Sequence, residues 1–298
     1  MNRPLSEYES VFPPEGLGPS QYCRRITKNR AKNFFWAIAT LSADKRAAVY
    51  SIYAFARRCD DIADSELELD EKRRLLEEER NRVRELYRGY PADKLYRALQ
   101  SSLEEFSFPQ KYLQQLIDGV QMDLDKTDYE TFEELKTYCY HVASVVGLIL
   151  IEIFGYSEGR AQDRAIDLGI GMQLINIIRD VGEDLGRGRI YLPEEDLERF
   201  ELLPEELEEE GRNLSPSFKR LIGFEAERAR CFIRSGEKLI PLLPLRSRPC
   251  PAGLYGVYEK LLDEMERSDW DVLRQRVELS KFQKIKTVLK QWLGSIFV

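Results

Sequence analysis

Apolar positions along the chain recur at helical spacing, helix after helix, and the alternation expected of strands is hardly visible. Ser42 is placed to cap a helix over residues 43–64, with Asp44 in its positively polarised first turn. Thr131 followed by Glu134 reads as a capping box, opening a helix that runs through YCYHVASVVGLILIEIF until Gly155 stops it. A further pattern over residues 161–185 ends at the glycines of LGRGR. Pro193 and Pro204 stand where first helical turns begin, and residues 216–245 and 252–293 read as two more helices. No Ser/Gly linker, low-complexity tract or repeat divides the chain. The pattern therefore predicts one all-α domain over residues 1–298, with residues 1–20 as a loosely structured N-terminal arm.

Several of these helices are apolar most of the way round, as central helices of a large bundle are, so they are expected to surround something. Gly147, Gly169 and Gly171 lie inside helical patterns, where each costs about 1 kcal/mol relative to alanine. Such glycines either keep a cavity wall open or let two helices cross closely, and the sequence leaves both readings standing.

Against this apolar background two acidic faces stand out. In RRCDDIAD, residues 57–64, Asp60 and Asp64 are one helical turn apart, about 6 Å along the axis, with Arg57 a turn earlier. In QLINIIRDVGED, residues 173–184, Asn176, Asp180 and Asp184 follow at steps of four over about 12 Å, and Gln173 lies a turn before. Glu183 is off this line. One DxxxD alone suits a solvated helix end or an ion pair equally well. Two such faces, the second with Ile, Val, Leu and Gly between its ligands rather than lysines, suit Mg²⁺, which takes oxygen ligands and completes its shell with water and substrate phosphates.

Composition narrows the chemistry. The net charge of −7 argues against a nucleic-acid partner. Five widely spaced cysteines without a CxxC suggest neither a zinc site nor a disulfide framework, and a reducing cytoplasm fits best. The N-terminus lacks a signal-type apolar segment and no stretch reaches about 18 apolar residues, so the chain is expected to be neither exported nor membrane-spanning. The sole histidine, His141, reads as a satisfied helix residue, which argues against a His-based triad or a His-rich metal site. No GxGxxG or GxxxxGK[ST] loop is present. Two oxygen-rich clusters facing an apolar cavity match ionisation of an allylic diphosphate, where metal ions and cationic side chains stabilise the departing group and the pocket excludes water. A class I terpene cyclase, a chain-elongating prenyltransferase and a non-catalytic acidic helical scaffold are the competing readings.

The segments AKNFFWAIATL, YSIYAFARRCDDIAD, DGVQMDLD, YCYHVASVVG, QLINIIRDVGEDLGRGRIYLP and YEKLLDEMERSDWDVLRQRVELSKFQKI together give the chain a family resemblance. It resembles squalene and phytoene synthases, and its ARRCDDIAD wording is most similar to the bacterial enzymes that form presqualene diphosphate. The resemblance implies a class I isoprenoid synthase bundle with a central cavity. It implies 1′-1 condensation of two prenyl diphosphates through a cyclopropylcarbinyl diphosphate, with two farnesyl diphosphates giving a C30 product as the main reading and two geranylgeranyl diphosphates giving phytoene as the alternative. It makes Asp60 and Asp64 the Mg²⁺ ligands on one side, and Asn176, Asp180 and Asp184 those on the other. Arg30, Lys32, Arg57, Tyr258 and Arg276 become diphosphate contacts, and Tyr53, Tyr138 and Gln173 line the reacting centre together with Arg57. Phe34, Trp36, Ile38, Tyr50, Val142 and Gly147 are expected to line the pocket. Ala31 and Asn33 depart from the serine-rich wording frequent in the family at that loop. NADPH is not expected, and the sequence carries no signal for an oligomeric state.

The C-terminal KFQKIKTVLKQWLGSIFV interleaves Lys281, Lys284, Lys286 and Lys290 with Phe282, Ile285, Val288, Leu289, Trp292 and Phe297. It reads either as a last bundle helix with its apolar stripe packed and its lysines solvated, or as a weak peripheral contact with the inner face of an anionic membrane.

Overall fold

The computed structural model describes residues 16–30, 35–157, 159–207 and 214–295, and among them every regular element is helical. Residues 1–15 of the expected N-terminal arm lie outside the described residues. In chain order the longer helices are α1 (Pro19–Arg30), α2 (Ala43–Ala63), α3 (Leu69–Tyr87), α4 (Lys94–Phe106), α5 (Gln110–Asp125), α6 (Phe132–Phe154), α7 (Arg160–Leu185), α8 (Pro216–Glu237), α9 (Pro249–Arg267) and α10 (Lys281–Ser295). One-turn helices at Phe35–Ile38 and Glu194–Arg199 lie between them. Helix α7 runs against α8 and α6, α9 pairs with α10, and α2 packs on α1, α4 and α5. A continuous apolar cluster reaches from Tyr22 on α1 to Val288 on α10.

The expected boundaries hold where local chemistry sets them. Helix α2 starts after Ser42, although the Ser42 side chain makes no capping bond, and Asp44 lies in the first turn. The Thr131 hydroxyl accepts from the Glu134 amide at 3.4 Å; the Glu134 carboxylate takes the Glu130 amide instead of closing the box on Thr131. Gly155, at φ +73°, ends α6 in a conformation that side-chain-bearing residues avoid.

Two predicted helices are shorter than the pattern suggests. Helix α8 stops at Glu237, ahead of a 3₁₀ turn over Ile240–Leu242 that contains Pro241. The pattern over residues 252–293 is two helices, α9 and α10, because Asp269 and Trp270 both adopt positive φ and turn the chain. Their break leaves residues 268–280 as an irregular segment.

Helix α6 has a five-residue π turn over Tyr140–Ser144. By length and composition it is also apolar enough to cross a membrane, with a mean hydropathy of 1.6, which corrects the expectation that no stretch would qualify. It threads the bundle, with α5 and α7 packed against it. The interior glycines serve close crossings: a Cβ on Gly169 would lie 2.5 Å from the Ser144 Cα, one on Gly171 2.8 Å from the Ile233 amide nitrogen, and one on Gly147 3.1 Å from the Ala165 carbonyl oxygen.

Candidate active site

On α2, Ala48, Ile52, Phe55, Cys59 and Ile62 form the buried stripe, which turns Tyr53, Arg57, Asp60 and Asp64 together toward the other side. On α7, Leu174, Ile175, Ile178 and Val181 are buried, and Gln173, Asn176, Asp180 and Asp184 share the remaining stripe. Both stripes line one cavity of about 890 Å³. Each acidic group stands at the C-terminal end of its helix, where the helix dipole is negative and no basic residue occupies the last turn. That placement is unfavourable for carboxylates alone and concentrates negative potential where a cation would sit.

The carboxyls respond accordingly. The exposed surface of Asp60 faces the cavity, and enclosure in the bundle, reinforced by Asp64, Asp123 and Asp61, pushes its carboxyl up to about 7 against the pull of Arg57. Asp184 is likewise raised to about 7 by burial and by Asp180 and Asp123, with Arg187 and Arg189 opposing. Asp123 on α5 thus acts on both clusters. Its carboxylate accepts from the Tyr191 hydroxyl at 2.8 Å and the Tyr138 hydroxyl at 3.2 Å, and its own carboxyl is raised, chiefly by burial. Tyr138 and Tyr191 stack with ring centroids 5.2 Å apart.

Cationic side chains interleave with these acids. The cavity is lined by Arg30, Arg57, Arg179, Arg187, Arg189, Arg276 and Lys284, besides Asp60, Asp64, Asp123, Asp180, Asp184 and Glu278. Asp180 is held from two sides: Arg179 donates to its oxygens at 2.7 and 2.5 Å, and Arg276 approaches at 2.9 Å through Nε and 3.2 Å through Nη2. Arg276 also reaches Glu183 at 3.3 Å. It is brought there by Gly182, where a Cβ would lie 2.5 Å from the Leu273 carbonyl oxygen, so the 268–280 segment packs directly on α7. Arg57 pairs with Asp61, and its Nε is a buried donor without an acceptor among the described residues.

A model of the squalene/phytoene synthase family matches residues 27–283. The chain belongs to that family. It is a prenyltransferase of the head-to-head type, so the scaffold and cyclase readings fall away. A 15-cis-phytoene synthase from Synechocystis sp. is 34% identical over 92% of this chain and 84% of its own length. A phytoene synthase from Arthrospira platensis is 34% identical over 89% of each chain. Among solved structures, a dehydrosqualene synthase in complex with ligand superposes with a TM-score of 0.86 at 28% identity, covering 98% of this chain and 99% of that one. Squalene synthase HpnC from Alicyclobacillus acidocaldarius superposes at 0.79 with 27% identity, covering 85% and 94%.

Within this family fold, Arg30, Tyr53, Arg57, Asp60, Asp64, Tyr138, Val142, Gln173, Asn176, Asp180, Asp184, Tyr258 and Arg276 all line the one cavity. Lys32 and Phe34 lie outside the described residues. Four expected pocket residues are not among those lining this cavity. Ile38 and Tyr50 are buried in the core, with Tyr50 stacked on Phe35; Trp36 is exposed; Gly147 serves a helix crossing. His141 is satisfied through Nδ1, which donates to the Thr137 carbonyl at 2.8 Å.

Sequence reasoning missed Asp123, Arg179, Arg187, Arg189 and Tyr191 as site residues, and it read Lys284 as part of the tail rather than of the cavity wall. The donor set suits a hard cation: aspartate and asparagine oxygens, with two carboxyls raised in part by unrelieved like charge. Among the described residues no three acidic, cysteine or histidine side chains form one preformed metal cluster. Mg²⁺ held by one or two carboxylates, with phosphate oxygens completing its shell, needs none.

Proposed function

We propose that the protein joins two geranylgeranyl diphosphates head to head to form phytoene, through a cyclopropylcarbinyl diphosphate. The observation that carries the condensation is the pair of acidic stripes, Asp60/Asp64 and Asn176/Asp180/Asp184, set in the wall of one cavity among seven cationic side chains. The C40 substrate is supported by the phytoene synthases among its relatives, which favour this alternative over the C30 reading taken from the sequence wording. The C30 reading keeps one support, the likeness to dehydrosqualene and squalene synthase structures.

Asp60, Asp64, Asn176, Asp180 and Asp184 would hold Mg²⁺, which neutralises diphosphate charge when bound. Arg57, Arg187, Arg189, Arg276 and Lys284 supply donors to the diphosphates, and the Arg57 Nε has no acceptor among the described residues. The first C1–O bond breaks, and the resulting cation is captured by the C2–C3 double bond of the second substrate. A proton leaves as the cyclopropane closes. Departure of the second diphosphate, rearrangement and loss of a second proton complete a C40 hydrocarbon without any reductant. Burial pushes the Tyr53 phenol up to about 12 and raises Tyr138 well above its ordinary value, so both stay protonated and donate hydrogen bonds rather than act as bases. The released diphosphate is left as the proton acceptor. Val142, Ile177 and Leu261 supply apolar wall that keeps water from the cation.

The test is incubation with geranylgeranyl or farnesyl diphosphate and Mg²⁺, followed by mass analysis of the hydrocarbon. A C40 product from the former at the higher kcat/KM supports the reading. A C30 product from farnesyl diphosphate with no C40 product overturns the substrate assignment.

A further inference from the structure

We propose that the outer face of α10 docks on an anionic lipid bilayer. The inner face of this helix is fixed by the fold: Lys284, Val288 and Ser295 are buried, and Lys284 lines the cavity. On the opposite side Phe282 is 75% exposed, Leu289 52% and Leu293 55%, and Trp292, 40% exposed, lies at the edge toward the buried face. At about 100° per residue, Phe282, Leu289 and Leu293 fall within about 40° of one another and run for about 17 Å along the helix. Val288 packs inward, but Phe282, Leu289 and Leu293 form a second apolar strip that is turned outward. Trp36, 41% exposed, stands on the one-turn helix that packs against α10 and adds a second exposed aromatic from that neighbour.

Charge selects the occupant. Lys286 and Lys290 flank the stripe on one side and Lys281 on the other, and all three are exposed. No ion pair holds any of them among the described residues, and the sequence from Lys281 to Ser295 contains no acidic residue. A protein of net charge −7 thus carries, at α10, an acid-free basic helix whose outward strip is apolar. That combination matches a surface with negative headgroups over hydrocarbon. A second copy of the chain fits worse, because a two-fold contact would set these lysines against themselves. The helix spans from cavity wall to outer surface, so docking places the cavity one helix diameter, about 10 Å, from lipid. Under the proposed function this is where a C40 hydrocarbon must go. The docking itself is read independently of turnover.

The full chain is tested by co-sedimentation with phosphatidylcholine vesicles, with and without phosphatidylglycerol, at low and high salt. Binding is expected to the anionic vesicles and to weaken with salt. Phe282→Ser/Leu289→Ser/Leu293→Ser should weaken it by about tenfold or more, and Lys286→Gln/Lys290→Gln by about fivefold per lysine. All five side chains are exposed, so the variants should melt with the parent and turn over detergent-dispersed substrate at its rate. Tyr90→Ser, at a 69%-exposed aromatic elsewhere, should bind like the parent. A parent that ignores anionic vesicles overturns the proposal, as does a triple serine variant that binds undiminished. Conversion of a parent dimer to monomer by the triple variant, with vesicle binding intact, would assign the face to a second copy instead.

Discussion

Replacing Asp184 by asparagine should stabilise the metal-free protein while disabling it, and the gain should depend on pH. The Asp184 carboxyl is raised from 3.8 to about 7, first by burial and then by Asp180 and Asp123. Between those two values the folded protein binds a proton that the unfolded chain releases, so stability falls as pH rises through the window and levels off above it. A displacement of about 3 pH units corresponds to about 4 kcal/mol. Asp184 is half-buried beside a wide cavity, and solvent screening reduces this to about 2 kcal/mol. The amide of the Asp184→Asn variant would carry no charge at any pH. The variant should therefore match the parent near pH 4 and exceed it at pH 8 by about 2 kcal/mol, or about 4 °C in Tm for a chain of this size. Thermal unfolding in chelator from pH 4 to pH 8 measures the difference. Saturating Mg²⁺ and diphosphate should raise the Tm of the parent far more than that of the variant, whose turnover should drop by about 10²–10³. A variant less stable than the parent at pH 8, or a gap that does not change with pH, would refute the reasoning.

Asp60→Asn should likewise leave the fold intact and lower diphosphate release by about 10²–10³; near-normal turnover would remove Asp60 from the metal-binding face. Gly182→Ala drives a methyl into the Leu273 carbonyl and should displace the segment carrying Arg276, costing about 1–3 kcal/mol of stability and raising KM for the diphosphate substrate. An unchanged KM would show that Arg276 is placed by something other than this contact. Hydrocarbon should form without NADPH, and a strict NADPH requirement for the first release of diphosphate would contradict the proposed sequence of bond changes.

What could be read from the sequence was whatever local spacing encodes. Helix α7 begins at Arg160 and ends at Leu185, one residue from the expected start and at the expected end, because its apolar period and terminal glycines are contiguous in the chain. The acidic stripes were legible for the same reason. The break between α9 and α10 was not, since RSDWD contains neither glycine nor proline. Its left-handed pair is held from a distance: Asp269 pairs with Lys219, and the Trp270 indole lies over Gly223 on α8. Asp123 stands in DGVQMDLD with two other aspartates, and only the fold sorts them. Asp118 goes to Arg80 and Asp125 to Arg73 on α3, which leaves Asp123 to the cavity. Arg187, Arg189 and Tyr191 follow the end of α7, where no periodicity applies. They are steered inward by backbone bonds from Ile190 to Thr127 at 2.7 Å and from Glu194 to Tyr129 at 2.9 Å. Trp36, Ile38, Tyr50 and Gly147 mark the converse limit, since an apolar residue looks the same in sequence whether it faces a core, a cavity or solvent.

The pairing of acids with arginines inside the cavity explains how such a site tolerates its own charge. Asp180 sits between Arg179 and Arg276, Asp61 is taken by Arg57, and Arg189 approaches Asp64 at 3.9 Å. Partly exposed pairs such as Arg276–Asp180 and Arg189–Asp64 contribute little net stability, so their members are available for other partners at small cost. Under the proposed function, two diphosphates arriving with Mg²⁺ would bring both signs of charge at once. The carboxylates would then face cations and the guanidiniums phosphate oxygens. Arginine suits the exchange better than lysine because its planar fork engages a carboxylate or a phosphate in the same bidentate manner. Neither half of the ligand set completes the exchange alone: metal without diphosphate strands the arginines, and diphosphate without metal strands the aspartates. Under the proposed function, a requirement for both together would follow from the wall's charge balance as much as from any single ligand position.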